Sequence, residues 1–254
     1  MSDPLNRFTS RVESYTKFRP SYPPSVLNLL KTECGLSIES VIADIGSGTG
    51  ILTQLFLKLG NTVFAVEPNQ AMRTEAEGLL SSYPNFLSVE GAAEATTLET
   101  NSVNLITAAQ AFHWFDALKA REEFVRVLRP QGWVVLIWNE RRLDSSPFLR
   151  AYEKLLMRYG TDYQQVRHEN TTGKIADFFK PQSFRFDSFE NIQSFDFEGL
   201  QGRVLSASYT PEPDQPNFKP MMAGLREIFD AHHKNGQVNF EYDTTMYYGH
   251  LESR

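Results

Sequence analysis

Cysteine is almost absent from this chain: 254 residues contain one, Cys34. A lone thiol cannot close an internal disulfide, and no Cys/His spacing suited to zinc can be built around it. Long apolar runs are missing too. The longest spans 133–138, far short of the roughly 20 residues a helix needs to cross a bilayer. The opening MSDPLNRFTSRVES has no apolar core of the kind a secretory signal carries. Nor is there a block of basic charge, since 25 Lys and Arg stand against 31 Asp and Glu, for a formal net charge of −6. Binding to nucleic acid or to an anionic membrane depends on clustered Lys and Arg. The expectation is therefore a cytoplasmic protein with no nucleic-acid partner and no membrane insertion, and its oligomeric state is left open. Repeats and low-complexity linkers are absent as well. With 41% hydrophobic and 22% charged residues, the chain has the composition of an ordinary globular protein. It is long enough for one sizeable core, and a single domain over 1–254 is expected.

From about 25 to 139, strand-like and helix-like segments alternate. Pro24 suits the first turn of a helix carrying Val26, Leu27, Leu29 and Leu30. The run Val41-Ile42-Ala43 ends in Asp44 and a glycine cluster, and Ile51, Leu52, Leu55, Phe56 and Leu59 then recur at helical spacing until Gly60. A second strand over 62–66 ends on Glu67-Pro68. Further strands are predicted at 86–89, 103–107 and 133–138, with helices at 69–80 and 117–128 between them. Short, wholly apolar strands separated by amphipathic helices indicate a doubly wound α/β fold with helices on both faces of a mostly parallel sheet. Beyond Asn139 the pattern predicts a helix at 147–159 and one buried sheet face from the phenylalanines of 183–197. It also predicts a proline-rich loop over 211–220, a helix at 221–233 and a strand at 238–247. Residues 1–24 and 140–236 are the candidates for covering a site on the core.

The segment Asp44-Ile45-Gly46-Ser47-Gly48-Thr49-Gly50 lies between a predicted strand and a predicted helix. Its glycines allow a tight turn and close backbone approach to a ligand, and the helix amides that follow point at whatever binds. Glu67 ends the next strand, facing the same crevice, where a carboxylate can accept hydrogen bonds from two ribose hydroxyls. The spacing is G-x-G-x-G, not the G-x-G-x-x-G of nicotinamide enzymes. Asp44, two residues ahead, suits an ammonium or sulfonium better than a pyrophosphate, because like charges repel. No G-K-[ST] follows, which excludes a P-loop.

These residues resemble the first motif of the class I S-adenosylmethionine-dependent methyltransferases, in particular the type 11 group. The likeness runs over about 8–139 and includes Glu67, Val89-Glu90-Gly91-Ala92-Ala93-Glu94 and Leu128-Arg129-Pro130-Gln131-Gly132. It implies a Rossmann-like sheet of seven strands, six parallel and one reversed near the C-terminus, with S-adenosyl-L-methionine as cofactor. By that resemblance Gly46, Ser47, Gly48 and Gly50 pass the methionine part and Asp44 lies near its amino group. Glu67 holds the ribose, Pro68 and Asn69 lie beside the adenine, and Ala93 and Glu94 line the adenine edge. Asn104 stands where many relatives carry an acid at the start of the fourth strand.

Two further segments resemble a subset of the same group. Gln110-Ala111-Phe112-His113-Trp114 lies between cofactor and substrate in those relatives. Gln110 is then a cofactor contact, Trp114 a pocket wall, and His113 a candidate base or orienting group. The segment Tyr15-Thr16-Lys17-Phe18-Arg19-Pro20-Ser21-Tyr22-Pro23 folds over the site, with Tyr15, Arg19 and Tyr22 toward the methionine carboxylate or the substrate. Arg19 offers a carboxylate clamp, and Arg141 and Arg142 stand just past the fifth strand. The adjacent His232 and His233 face different directions on a helix and make a poor metal pair, and no metal is expected. The expected activity is methyl transfer by direct displacement to a small-molecule acceptor, with a carboxylic acid among the candidates. A protein that binds S-adenosylmethionine or S-adenosylhomocysteine without turnover, and a nicotinamide-dependent oxidoreductase, are the alternatives.

Overall fold

The computed structural model describes residues 17–163 and 171–252. The first helix, α1 (Pro24–Glu33), takes its proline in the opening turn, where a missing N–H costs nothing. Then come β1 (Val41–Ile45), α2 (Ile51–Lys58), β2 (Thr62–Val66), α3 (Gln70–Leu80), β3 (Phe86–Val89) and β4 (Val103–Ala109). A single 3₁₀ turn (Phe112–Trp114) leads into α4 (Ala117–Val127) and β5 (Leu128–Arg141). The remainder holds α5 (Pro147–Tyr159), α6 (Thr171–Phe179), β6 (Arg185–Phe195), α7 (Phe197–Leu205), α8 (Phe218–His232) and β7 (Val238–His250).

The strands form one seven-stranded sheet in the order β3-β2-β1-β4-β5-β7-β6. Neighbours from β3 to β5 are parallel, and β7 runs antiparallel to both β5 and β6. Six strands thus share one direction and β7 alone is reversed. The strand order changes direction at β1, whose two neighbours are β2 and β4, and ligands of open α/β sheets bind outside the strand C-termini at such a point.

Alternation along the central strands divides the core. Ala43 and Ile45 of β1, and Val134, Leu136 and Trp138 of β5, pack on one face with Phe124 of α4 and Phe178 of α6. Ile42, Val135 and Ile137 pack on the other with Leu30 of α1 and Phe56 of α2. Fully burying one such side chain contributes about 1.5–3 kcal/mol, which fixes strand register, because a one-residue slip would exchange the faces. A third apolar centre gathers Tyr152 and Leu156 of α5, Leu200 and Val204 of α7, Leu225 of α8 and Phe240 of β7.

The structure departs from the sequence expectations in four places. The fifth strand is longer than 133–138, because the register shifts between Val103/Leu128 and Leu105/Trp133 and the segment 128–132 joins the strand as an irregularity. The phenylalanine-rich strand does not bury one face. It is the sheet's edge, Phe186 is 52% exposed, and the spacing of its aromatics puts them on both sides. Pro220 belongs to α8 and not to the preceding loop, since the third residue of a helix needs no intrahelical N–H partner. Helices α6 and α7 lie where no helix is predicted.

Candidate functional site

The glycine loop leaves the C-terminal end of β1 and turns back on itself into α2. Gly46 has φ +68°, and a Cβ there would stand 2.6 Å from Cβ of Ala111, so the loop presses against the segment after β4. Gly48, at φ +58°, has open space where its Cβ would be, as a loop that meets a ligand through its backbone requires. The N–H groups of Gly46 and Ser47 donate to the Val66 carbonyl at 2.8 and 3.2 Å, which ties the loop to β2. Gly50 precedes α2 in the left-handed region and supplies no side-chain cap. Of the first three amides of α2, that of Thr53 bonds the Asp44 carboxylate, and those of Ile51 and Leu52 open the helix at the positive end of its dipole.

Glu67 closes the loop from the β2 side. One carboxylate oxygen accepts from the Gly48 N–H and the other from the Asn69 N–H, each at 2.9 Å. An ionised carboxylate has about four acceptor positions, so two stay open for hydroxyl donors. Burial raises its pKa, and the two backbone bonds and the nearby Arg73 oppose that rise. Asn69 caps α3 by accepting from the Met72 N–H at 3.0 Å. The carbonyls of Glu67 and Pro68 both accept from Arg73, which also pairs with Glu90 at 3.0 Å.

Asp44 corrects its expected role. It is 1% exposed and lies beneath the loop, where its oxygens accept from the hydroxyls of Thr53 in α2 (2.6 Å) and Thr107 in β4 (2.8 Å). Burial lifts its carboxyl to about 6, against the lowering effect of those two bonds and of a third from the Thr53 N–H, and the charge of Glu67 adds to the rise. Both carboxylate oxygens are thus engaged below the loop. Thr53 and Thr107 were not singled out in the sequence; hydroxyls on an apolar helix and an apolar strand beside a buried acid are the signal.

The adenine-side segment also differs in part. Ala93 is 4% exposed and packs in the core with Val66 and Phe112, so only its backbone can face a ligand. Glu94 spends one oxygen on the Asp116 N–H at 2.7 Å, which holds the start of α4 beside it. Asn104, in the place of the acid, accepts from the Val41 N–H and from Arg129 at 2.9 and 3.0 Å and so serves the sheet.

Beyond β4, Gln110 sits at φ +56°, a strained backbone for a residue with a Cβ. Its N–H donates to Ile137 and its side chain to the Asn139 carbonyl, at 2.8 and 3.1 Å. His113 and Trp114 follow in the 3₁₀ turn with ring centres 4.7 Å apart; His113 is half-buried and Trp114 is 41% exposed. The arm 17–23 docks across the same end of the sheet. The Ser21 carbonyl accepts from Asn139 at 3.3 Å and from Asn191 at 2.7 Å, and Gln193 donates to the Phe18 carbonyl at 3.2 Å. Arg19 donates to the Ser206 carbonyl at 3.0 Å. Tyr22 packs at the rim of the cluster under α1. Tyr15 lies outside the described residues.

Arg141 is already engaged by Glu153 at 2.5 Å and by the Tyr163 hydroxyl at 2.9 Å, and Arg142 is held by Asp243 and Glu190. Each therefore has a carboxylate beside it, while Nη1 of Arg141 is buried without a hydrogen-bond partner among the described residues. Among the described residues no group of three His, Cys, Asp or Glu side chains could hold a metal ion.

A methyltransferase-domain family model matches residues 43–136, the stretch from β1 into β5. An uncharacterised methyltransferase from Schizosaccharomyces pombe is 34% identical over 94% of this chain and 95% of its own length. The chain belongs to the class I S-adenosylmethionine-dependent methyltransferases. A second S. pombe relative, methyltransferase-like, is 30% identical over 88% of this methyltransferase and 86% of itself. An uncharacterised methyltransferase from Mycobacterium tuberculosis is 38% identical over 53% of this chain and 52% of its own. Among solved structures, a protein of Anaeromyxobacter dehalogenans proposed as a type II methyltransferase superposes with a TM-score of 0.67 at 20% identity, covering 91% of this chain and 97% of that one. At that identity the likeness concerns the fold.

The methyltransferase is an enzyme whose cofactor is S-adenosylmethionine, and the nicotinamide alternative is set aside. The residues present suit that cofactor on their own terms: open space over Gly48, an α2 start with no side-chain cap from Gly50, and a carboxylate with acceptor positions left at Glu67. Asn139, a boundary in the sequence but not among its candidate site residues, joins the arm to the loop after β4. No helix among the described residues is long and apolar enough to cross a membrane.

Proposed function

We propose that this methyltransferase acts on a small-molecule acceptor, bound where the arm 17–23, the loop after β4 and the cap 140–236 meet over the ends of β1, β4 and β5. The observation that carries the reading is the enclosure of that mouth. Asn139 donates to Ser21 in the arm and its carbonyl accepts from Gln110, so the arm and the crevice wall form one rim.

When bound, S-adenosylmethionine would supply a sulfonium methyl group for in-line displacement by the acceptor, with S-adenosylhomocysteine as the leaving group. The loop backbone at Gly46, Ser47, Gly48 and Gly50 passes close to the cofactor's methionine part, and Glu67 accepts from its ribose hydroxyls. Pro68, Asn69 and Glu94 flank the adenine, with Ala93 contributing backbone alone. Gln110 fixes the wall between cofactor and acceptor. The buried Asp44 charge favours the cationic cofactor through the loop. Trp114 offers an aromatic face to the acceptor and the sulfonium. An imidazole nitrogen of His113 orients an acceptor O–H or N–H and takes its proton. The closed rim keeps bulk water from the displacement, and orientation supplies much of the rate.

Calorimetric titration with S-adenosylmethionine, S-adenosylhomocysteine and NADH, followed by product detection on a panel of small acceptors, tests this. Binding of the first two with methyl transfer to a panel member supports it. Both bound with methyl transfer only to protein or nucleic acid would overturn it, and both bound with no acceptor at all would favour a sensor.

A further inference from the structure

Beside the arm, at the far end of β5 and β7, lies a buried arginine that no carboxylate neutralises. Arg203 of α7 is 6% exposed. Its Nε donates to the Tyr242 hydroxyl at 3.4 Å and one Nη to the Ser206 hydroxyl at 3.5 Å, both at the long limit of a hydrogen bond. Its guanidinium carbon is 5.8 Å from the centre of the Phe240 ring. Among the described residues no Asp or Glu pairs with it, whereas Arg141 has Glu153 and Arg142 has Asp243. A buried cation without a partner is costly, and proteins supply one from the chain or from a ligand.

Other donors gather at the same place. The Tyr152 hydroxyl and Nη1 of Arg141 are buried without a hydrogen-bond partner among the described residues. Tyr152 interacts electrostatically with both Arg203 and Arg141, and burial pushes its phenol well above the usual tyrosine value, which keeps the O–H in place as a donor. Arg19 adds a third guanidinium to the neighbourhood through the Ser206 carbonyl. Gly202 leaves room for the Phe18 ring to lie against α7, since a Cβ there would overlap it. The cluster sets three guanidiniums against one carboxylate, that of Glu153 on Arg141, and aromatic rings wall it.

Its place in the sheet separates it from the nucleotide. Tyr242 pairs with Arg141 on β5 and Asn191 on β6, past the ends of the central strands. β7 is three strands from β1, about 14 Å at the usual strand spacing, and on the side opposite β2 and Glu67. We infer that Arg203, with the Tyr152 hydroxyl, binds a carboxylate of the acceptor, one borne on an aromatic or alkyl body. The inference rests on the reading of a small-molecule acceptor and narrows it. A planar guanidinium fork matches a carboxylate's two oxygens, and Phe240 and Tyr152 offer apolar faces to what carries it.

The test is calorimetric titration of the S-adenosylhomocysteine complex with benzoate, benzamide and phenyl phosphate, for the unaltered protein, Arg203→Met and Arg203→Lys. The unaltered protein should prefer benzoate to benzamide by about tenfold or more. Arg203→Met should erase the preference, Arg203→Lys should keep part of it, and affinity for S-adenosylhomocysteine should stay within about twofold in both. A preference that survives Arg203→Met overturns the inference, as does tighter binding of phenyl phosphate than benzoate. So does lost S-adenosylhomocysteine affinity with benzoate binding unaltered, which would give the guanidinium to the cofactor's own carboxylate. If neither variant folds, a crystal structure of the unaltered complex with benzoate decides it, by whether the carboxylate sits on Arg203 or elsewhere. Benzoate bound at Arg203 without methyl transfer to any small molecule would sink the broader reading and support this site. Methyl transfer to small molecules without the benzoate preference would do the reverse.

Discussion

Asp44→Asn should make the protein more stable at neutral pH while weakening its hold on the cofactor. In the fold the carboxyl titrates at about 6, against 3.8 for an ordinary aspartate, with burial the leading cause. The folded-state value lies above the unfolded one, so the folded chain binds more protons between the two. The stabilising contribution is fully present below the unfolded value and is lost as pH rises through about 6. A shift of about 2 units corresponds to about 3 kcal/mol, and the change between about pH 4.5 and about pH 7.5 is about 2 kcal/mol. Asparagine has nearly the same shape, and its oxygen and its amide can each meet one of the Thr53 and Thr107 hydroxyls. Urea titration of both proteins at the two pH values should therefore show a gain of about 1–3 kcal/mol for the variant at neutral pH that shrinks in acid, with Tm rising by about 2–4 °C per kcal/mol. S-adenosylmethionine should bind roughly tenfold more weakly, because a buried negative charge beneath a cationic ligand is gone. The unaltered protein should also lose cofactor affinity as pH falls below about 6. A variant destabilised equally at both pH values would refute the reasoning, since it would mean that the ionised carboxylate is not penalised where it sits.

Three further outcomes are expected. Glu67→Gln should weaken S-adenosylmethionine binding by about 1.5–3 kcal/mol, the usual loss for a charged hydrogen bond; an unchanged Kd in the folded variant would remove Glu67 from the ribose. Gly46→Ala places a methyl 2.6 Å from Cβ of Ala111 at φ +68°, so it should cost about 1–3 kcal/mol by overpacking and reduce cofactor affinity as well, read by urea melts and calorimetry. Glu123 is held at about 2, chiefly by Arg126, with help from the Thr96 hydroxyl and N–H. Its contribution is present above the usual glutamate value and is lost as pH falls through about 2. Glu123→Gln should accordingly cost under about 1 kcal/mol at neutral pH after solvent screening, with the difference vanishing in strong acid.

The central sheet was legible because its signals are local. Short, mainly apolar runs closed by glycine or an acid read as strands, and β1, β2 and β3 stand where the pattern puts them, although β3 is an edge strand with Leu87 and Ser88 exposed. The helices α3, α4 and α5 were legible for the same reason, with Asn69, Asp116 and Ser146 as their caps. The edge strand was misjudged because aromatic content was read as burial, and at an edge a strand's outer face can stay wet. Within the site, the glycine loop and Glu67 follow from short-range spacing. Asp44 was placed on the right strand end but on the wrong side of the loop, since whether a carboxylate faces ligand or core depends on Thr53 and Thr107, 9 and 63 residues away. Arg203 carries no local mark; its interest lies in the partner it lacks, which only the packing of α5, α7 and β7 reveals.

Asn139 makes the mouth of the crevice a single mechanical joint. Its oxygen accepts from Thr244 at 2.6 Å and Asn191 at 3.2 Å, its amide nitrogen donates to Ser21, and its carbonyl accepts from Gln110. Four strands of chain (the arm, the edge strand, the reversed strand and the wall beside the cofactor) converge on one amide. The entrance and the wall therefore share a hinge pin, and prising the arm away strains the residue already held in a left-handed turn. On the proposed reading, moving the arm aside for acceptor or product would pull on the same strand end that holds Gln110.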